Sequence, residues 1–557
     1  MLAAGSAPAA PVAAVVTTYP SSQTIPAQGA LPPGGGTGIS LNAARGDHEG
    51  AWIVVRGTGA VSATIDPGTL GAIDVDVAWG HFVSVAGRSV PDALLPWDGS
   101  TRRSEGPIQP LYVRITVPTD VAPGTYTGGI TVQTASGPAD VPLSVRVFRF
   151  TLPPVSRAEG NLLTSFHTSP QTYVNTAARL YSHTNEERQQ ASMSVYAFLS
   201  SYGISPASWG FGEPRNKAGY AASRKWWLDS ARNMAGQLGS GQGFPSMRIP
   251  ISNNRTTPHN WIAGLNPSEP TSWCGYLRSV RQFWEQHGWL DGTMQYVYGQ
   301  DEPGLEGQKL VSRQSKIAHE CWPGARSLMT GNPSPTGENA FLSDGKDGDD
   351  LDIWAVLSRR FYGSFTVAAE KEGKVSRSRQ LYTAIERVRG RSSVWSYTYT
   401  GVAGTPGFAA VEPLSDPRMF LLWNALEGTE GVLYGQGTTS YGSWNPLVRL
   451  AGGGDLVLLY PGDKEPIPSA RLEQIRDGIE DWAILKSVRR SRGPAAVRTI
   501  LGGAGLFSAN AKGIQLACHL GCELKSETKY SWPLWSKDAT TAGRIERAKL
   551  AALQAAS

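Results

Sequence analysis

Long apolar runs are missing from this chain of 557 residues. No stretch reaches the ~18 consecutive apolar residues of a membrane-crossing helix, so no membrane span is expected. Concentrated charge of one sign is missing too. The 51 Lys and Arg stand against 46 Asp and Glu, a formal net charge of +5 with no basic block. Nucleic acid is therefore not an expected partner, because phosphate binding needs gathered Lys and Arg. Cysteine is scarce, at four residues. Cys518 and Cys522 lie close together in Cys-His-Leu-Gly-Cys, while Cys274 and Cys321 stand apart. Neither spacing completes a tetrahedral metal set, so no metal is expected. Two disulfides, Cys274–Cys321 and Cys518–Cys522, fit an exported protein, secreted or at the cell surface. No nucleotide-binding glycine fingerprint, serine-nucleophile elbow or zinc motif is present, and no cofactor is implied. The first 35 residues hold no charged side chain. They lack the Lys or Arg that opens a secretory signal. Residues 1–37 read as a flexible Ala/Pro/Gly-rich tail, or as the remnant of a trimmed signal peptide and its linker.

What the chain does contain is enough apolar sequence for a large core: 40% hydrophobic against 17% charged residues. The length suggests three or four domains. The 64 Gly and 38 Pro imply many turns, and the 18 Trp and 19 Tyr are core anchors or stacking walls for a sugar. Composition leaves both roles open. From Gly38 to Pro154 apolar residues alternate, as in Val113, Ile115 and Val117 or Leu143, Val145 and Val147. Period-two strands broken by Pro-Gly turns predict an antiparallel β-sandwich over 38–155. Leu152-Pro153-Pro154 ends it.

Beyond Pro154 the rhythm becomes strand, loop, helix. Expected strands are 161–166, 203–209, 246–251, 294–299, 326–330, 351–356, 393–399 and 431–435. Between most of them lie helical patterns: a capping box at Thr184 ahead of Met193, Val195 and Leu199, then 223–238, 273–287 and 311–321. Eight strands alternating with helices predict a (β/α)8 TIM-type barrel over 156–495. Its last long helix is 473–490, amphipathic through Leu472, Ile475, Ile479, Trp482 and Leu485. Residues 496–557 read as an irregular insertion and a terminal helix packing on the barrel.

One stretch carries chemistry: Tyr296-Val297-Tyr298-Gly299-Gln300-Asp301-Glu302-Pro303. An apolar strand ends and two adjacent carboxylates follow, at the barrel end where reacting groups gather. Repulsion between neighbouring carboxylates tends to keep a proton on one of them, as a general acid requires. Adjacent strand residues point to opposite faces, so both reach one substrate only if the chain bends; Pro303 biases Glu302 towards such a turn. The competing reading is a surface Asp-Glu opening the next helix.

Three segments of the chain resemble the glycoside hydrolase family 123 group and its broader DUF4091 relatives. They are the strand end just quoted; Gly454-Asp455-Leu456 through Pro461-Gly462 with Ile467–Glu473 and Arg476–Trp482; and Ile39–Gly50. The resemblance implies a retaining, substrate-assisted exo-hydrolase of terminal N-acetyl-β-D-galactosaminides, with an oligosaccharide or glycoconjugate as substrate. It further implies that Asp301 orients the acetamido N–H and stabilises an oxazolinium intermediate, while Glu302 protonates the leaving oxygen and then activates water. Two other readings stay open: a glycosidase of similar fold acting on another sugar such as a cell-wall furanoside, and a catalytically silent carbohydrate-binding protein.

Other residues fall on the same rim if the barrel holds: His167, Asn253, Asn332, Trp354, Trp395, Tyr397 and Tyr434, with Trp444 in the loop after the last strand. Neutral donors and aromatic faces suit a saccharide, though inward aromatics in barrel strands are often core layers. The charged residues Arg471, Glu473, Arg476, Asp477, Glu480 and Asp481 read as structural pairs on a helix outside the barrel, with Arg476 and Glu480 four apart and Glu473 and Asp477 likewise.

Overall fold

A computed structural model of the protein describes residues 15–168, 170–207, 243–249, 273–286, 288–333, 351–358, 361, 384–399, 406–438, 444, 457–507 and 538–557. The first ten strands are β1 (Val15–Pro20), β2 (Ile39–Arg45), β3 (His48–Arg56), β4 (Ala60–Asp66), β5 (Asp74–Val85), β6 (Arg88–Leu95), β7 (Arg102–Arg103), β8 (Ile108–Thr116), β9 (Gly124–Thr134) and β10 (Gly137–Thr151). They make two five-stranded sheets, ordered β1-β3-β8-β5-β6 and β2-β10-β9-β4-β7. The alternating residues named above explain the pairing of the layers. Val113 and Ile115 of one sheet and Leu143, Val145 and Val147 of the other are buried in a single core, because every second side chain of a strand faces the same side.

Two expectations are corrected here. Residues 15–20 are not tail: β1 pairs antiparallel with β3 from Val15↔Arg56 to Pro20↔Ala51, and Tyr19 and Ile25 are buried. The sheets are also not purely antiparallel, since β10 runs parallel to β2. Most of the N-terminal sheets lies between these two strands in sequence, long enough for the crossover that parallel pairing demands.

The second half is built on a nearly closed parallel sheet: β11 (Leu163–Thr168), β12 (Ser246–Arg248), β13 (Met294–Asp301), β14 (Arg326–Thr330), β15 (Ile353–Leu357), β16 (Ser393–Thr398) and β17 (Gly431–Thr438). Its order is β11-β17-β16-β15-β14-β13-β12. Where an eighth strand was expected at 203–209, the described residues form one parallel bridge, Phe166↔Pro206. Phe166 N donates to Ser205 O at 2.9 Å and Ala207 N to Phe166 O at 2.6 Å, but Pro206 has no N–H with which to extend a ladder. Inward side chains such as Leu163, Tyr296, Leu328, Ile353, Trp395 and Leu433 fill the interior. Gly431 is required there, since a Cβ would lie 2.3 Å from the Trp395 ring.

Helices flank this sheet: α1 (Pro170–Tyr181), α2 (Asn185–Ser201), α3 (Trp273–Gln286), α4 (Leu305–Cys321), α5 (Asp416–Glu427), α6 (Ala470–Arg492), α7 (Pro494–Gly503) and α8 (Thr541–Ala556), with the hairpin β18 (Leu459–Tyr460) and β19 (Ile467–Pro468) before α6. The capping box opening α2 is complete: Glu187 N donates to Thr184 Oγ1 at 3.2 Å and Thr184 N to Glu187 Oε2 at 2.7 Å. Cys274 of α3 and Cys321 of α4 form a disulfide. Cys518, Cys522 and the expected helix 223–238 lie outside the described residues. No helix among the described residues is long and apolar enough to cross a membrane.

α6 differs most from expectation. Its apolar stripe is buried, and so are the charged residues Arg471, Glu473, Arg476, Asp477, Glu480 and Asp481. Their partners are mostly not on the helix. Arg471 donates to Asp92 at 2.9 and 2.8 Å, Glu473 receives Arg114 at 2.5 Å, and Glu480 meets His48 Nδ1 at 2.7 Å. Arg418 of α5 reaches Asp481 at 2.7 Å and Glu49 at 3.1 Å. Lys549 of α8 pairs with Asp47 at 2.8 Å and with Glu49. Within α6, Arg476 bonds Glu473 three residues back, not Glu480 four ahead. Burial of an ion demands a close counter-ion, and here the N-terminal sheets, α5 and α8 supply it.

Candidate active site

β13 delivers the two carboxylates, and two backbone features let them converge. Tyr298 pairs with Leu328, but Gln300 pairs with Met329 and Asp301 with Thr330, which leaves Gly299 as a one-residue bulge. Without it, Tyr298, Gln300 and Glu302 would share a face and Asp301 would take the other. The extra residue resets the alternation. Asp301 therefore comes to the side of Tyr298 and Thr330, and Tyr298 belongs to the interior cluster. Glu302 then adopts φ of +46°, a left-handed conformation uncommon outside glycine that concentrates at functional sites.

Each carboxylate is held by a tyrosine of that interior. Tyr298 OH donates to Asp301 Oδ1 at 3.0 Å, and Thr330 Oγ1 donates to the same oxygen at 3.0 Å. Tyr397 OH, from β16, donates to Glu302 Oε1. Thr330 Oγ1 also receives Glu302 N at 2.8 Å and lies 3.0 Å from Tyr298 OH. Burial, reinforced by the Asp301 charge, holds the Tyr298 phenol far above its ordinary range. Burial and the Glu302 carboxylate do the same for Tyr397. Both phenols therefore remain donors at any ordinary pH.

A third group faces Tyr298. The Arg248 guanidinium at the end of β12 lies 4.8 Å from the Tyr298 ring centre and donates to Ala207 O at 3.0 Å. Burial lowers its pKa, while Tyr296, Tyr298 and Asp301 oppose that shift. The His167 ring tilts against Tyr298 at 6.2 Å, with Nε2 buried and unpartnered among the described residues. Burial, then the Arg248 charge, pushes His167 down to about 4, with Asp301 opposing. It is a neutral imidazole above that pH.

The structure thus brings together Asp301, Glu302, Tyr397 and His167 among the expected site residues. Asn332 lies two residues beyond Thr330 on the same rim, half-buried. Three aromatics are corrected. Trp354 points away from the interior into the layer between sheet and helices, fully buried. Tyr434 is buried against Phe166 and Phe408 at 5.5 and 4.7 Å. Trp395 lies deep inside the barrel, edge-on to Tyr296 at 5.7 Å. All three are core residues, because strand parity and depth fix their direction. Trp444 packs between His81 at 5.1 Å and Tyr460 at 5.6 Å, against the N-terminal sheets instead of the carboxylates. Asn253 lies outside the described residues. Thr330, Tyr298 and Arg248 were missed. The alternation that places Tyr296 inside also places Tyr298 inside, and a charged Arg248 ending a buried strand was a legible signal.

Among the described residues no group of three or more His, Cys, Asp or Glu side chains is placed to hold a metal ion.

The arrangement of two packed β-sheets followed by a nearly closed parallel sheet has a counterpart among solved structures. A solved structure of a family 123 glycoside hydrolase from Clostridium perfringens, described with glycolipid glycan hydrolysis, matches with a TM-score of 0.61 over 97% of this chain and 99% of that one, at 14% identity. The chain has that fold along nearly its whole length. A xylanase with a bacterial Ig-like domain from termite gut (TM-score 0.29, 10% identity, 80% of this chain and 100% of that one) and a putative α-galactosidase from Bacteroides fragilis (0.27, 9%, 80% and 76%) match too weakly to carry an argument. No family model and no curated protein matches the sequence.

Proposed function

We propose that this protein is a glycoside hydrolase: a retaining, exo-acting enzyme that cleaves terminal N-acetyl-β-D-galactosaminides by substrate-assisted catalysis. The observation that carries the reading is the convergence of Asp301 and Glu302, through the Gly299 bulge and the left-handed Glu302, onto two interior tyrosines at one strand end. The family 123 fold supports it. In this mechanism the acetamido oxygen of the substrate attacks its own anomeric carbon, so no separate carboxylate nucleophile is needed. Asp301, its Oδ1 fixed by Tyr298 and Thr330, accepts the acetamido N–H and stabilises the positive charge of the oxazolinium. Glu302, exposed to solvent, gives its proton to the leaving oxygen and retrieves one from the incoming water. The single bridge at Pro206 stands as the eighth strand of a (β/α)8 barrel in this reading, with domains at 38–155, 156–495 and 496–557. The Cys274–Cys321 disulfide supports export.

The test is an aryl-glycoside panel. Wild type is expected to hydrolyse the N-acetyl-β-galactosaminide and not the β-galactoside. Glu302→Gln and Asp301→Asn are each expected to lower kcat by roughly 10²–10⁴-fold. Hydrolysis of the β-galactoside alone, or a near-normal rate in either variant, rejects the mechanism.

A further inference from the structure

Thr330 is the point where the two carboxylates meet. Its hydroxyl donates to Asp301 Oδ1 at 3.0 Å and accepts the Glu302 N–H at 2.8 Å. A hydroxyl has one proton to give and two lone pairs to receive, so one atom is bonded to the side chain of one residue and the backbone of the next. Tyr298 OH, 3.0 Å from both Thr330 Oγ1 and Asp301 Oδ1, closes a triangle. Thr330 is buried, so water does not replace it. A buried hydroxyl so used is not needed for packing the barrel, where valine would fill the same volume.

We infer that Thr330 is a positioning residue that holds both carboxylates at once, fixing the Asp301 charge through its O–H and the left-handed turn of Glu302 through the Glu302 N–H. Tyr298 shares only the first task, since its hydroxyl has no bond to the Glu302 backbone in the triangle. The division follows from the donor directions. Removing either hydroxyl takes one donor from Asp301, whereas removing Thr330 alone releases the backbone of Glu302. Without that anchor the left-handed turn loses a bond that offsets part of its cost, and the Glu302 carboxylate is directed less firmly at Tyr397. This inference deepens the reading of Asp301 and Glu302 as the acid pair and rests on it for its kinetic consequences. Its structural consequence stands apart from activity.

The experiment compares Thr330→Val, Thr330→Ser and Tyr298→Phe by crystal structure and by the pH dependence of kcat/KM on the aryl N-acetyl-β-galactosaminide. In T330V the Glu302 φ should leave the left-handed region and its contact with Tyr397 should break. kcat should fall ~10–100-fold with KM little changed, the scale set by about an ångström of misplacement. Both T330V and Y298F should move the acid limb to higher pH by roughly one unit, the equivalent of one hydrogen bond to a charged group. Y298F should keep the Glu302 turn, and T330S should restore both properties. A T330V structure with the turn and its Tyr397 contact intact overturns the inference, as does a Y298F structure in which the turn is lost. If wild type cleaves no substrate of the panel, the proposed function fails, while the two structures still decide the role of Thr330.

Discussion

Asp301 and Glu302 converge through a one-residue bulge and a left-handed turn, and each ends on the hydroxyl of an interior tyrosine. A bulge at Gly299 is one glycine among 64 in the sequence, and nothing local distinguishes it from a turn. Tyr397 was legible only as a rim aromatic, yet its hydroxyl holds Glu302. Its removal makes a direct prediction. Tyr397→Phe keeps the ring that packs the interior and deletes the donor, so kcat should fall by about tenfold, the scale of one such bond, with folding unaffected. Steady-state kinetics beside a thermal melt check this, and unchanged kcat assigns the bond no catalytic weight. The tryptophans show the opposite limit. Trp354 and Trp395 sit on barrel strands at positions where parity, for Trp354, and depth, for Trp395, decide between ligand wall and core.

At the scale of the element, strands were readable from alternation and helices from caps, because both patterns are local. α6 was readable as a helix and not as a junction. Its stripe of Leu472, Ile475, Ile479, Trp482 and Leu485 predicts one buried face, but the charged face is buried as well. Sequence spacing offers charged residues the i+4 partner on their own helix; burial against the N-terminal sheets offers better ones that spacing cannot show. Arg418 of α5 tests this. It is fully buried and bonds Glu49 of β3 and Asp481 of α6, so Arg418→Met should cost about 3–5 kcal/mol, the penalty of leaving buried charge uncompensated. Denaturant unfolding measures it, and a loss under about 1 kcal/mol, the scale of an exposed pair, contradicts the account.

For the whole molecule, the same junction sets how stability responds to pH. Burial holds the carboxyls of Asp47, Glu480 and Glu546 up to about 7. Each keeps its proton in the fold up to about pH 7, well above the pH at which the unfolded chain loses it, so its stabilisation is full below the unfolded value and is lost as pH rises through 7. His48 and His167 work in the other direction. Burial lowers them to about 3 and about 4, which costs stability only below ~6.5, the ordinary histidine value. Above that pH the carboxyls act alone. Stability should fall between pH 6.5 and 8 by about a kcal/mol or more per unit. Melting curves across that window check it. In Asp47→Asn the slope should flatten, and an equal slope would exclude Asp47 from the effect.

Lys549 of α8 donates to Glu49 from 500 positions further along the chain. During synthesis, which delivers ~5–20 residues each second, the segment bearing Asp47 and Glu49 leaves the ribosome long before Lys549 exists. For that interval the two acids cannot be sealed into their final surroundings, and the early sheets must stay open or protonated along that edge. Completion of the sheet layer around Asp47 and Glu49 therefore waits on α8, which makes this chain a poor candidate for dissection into separately folding halves.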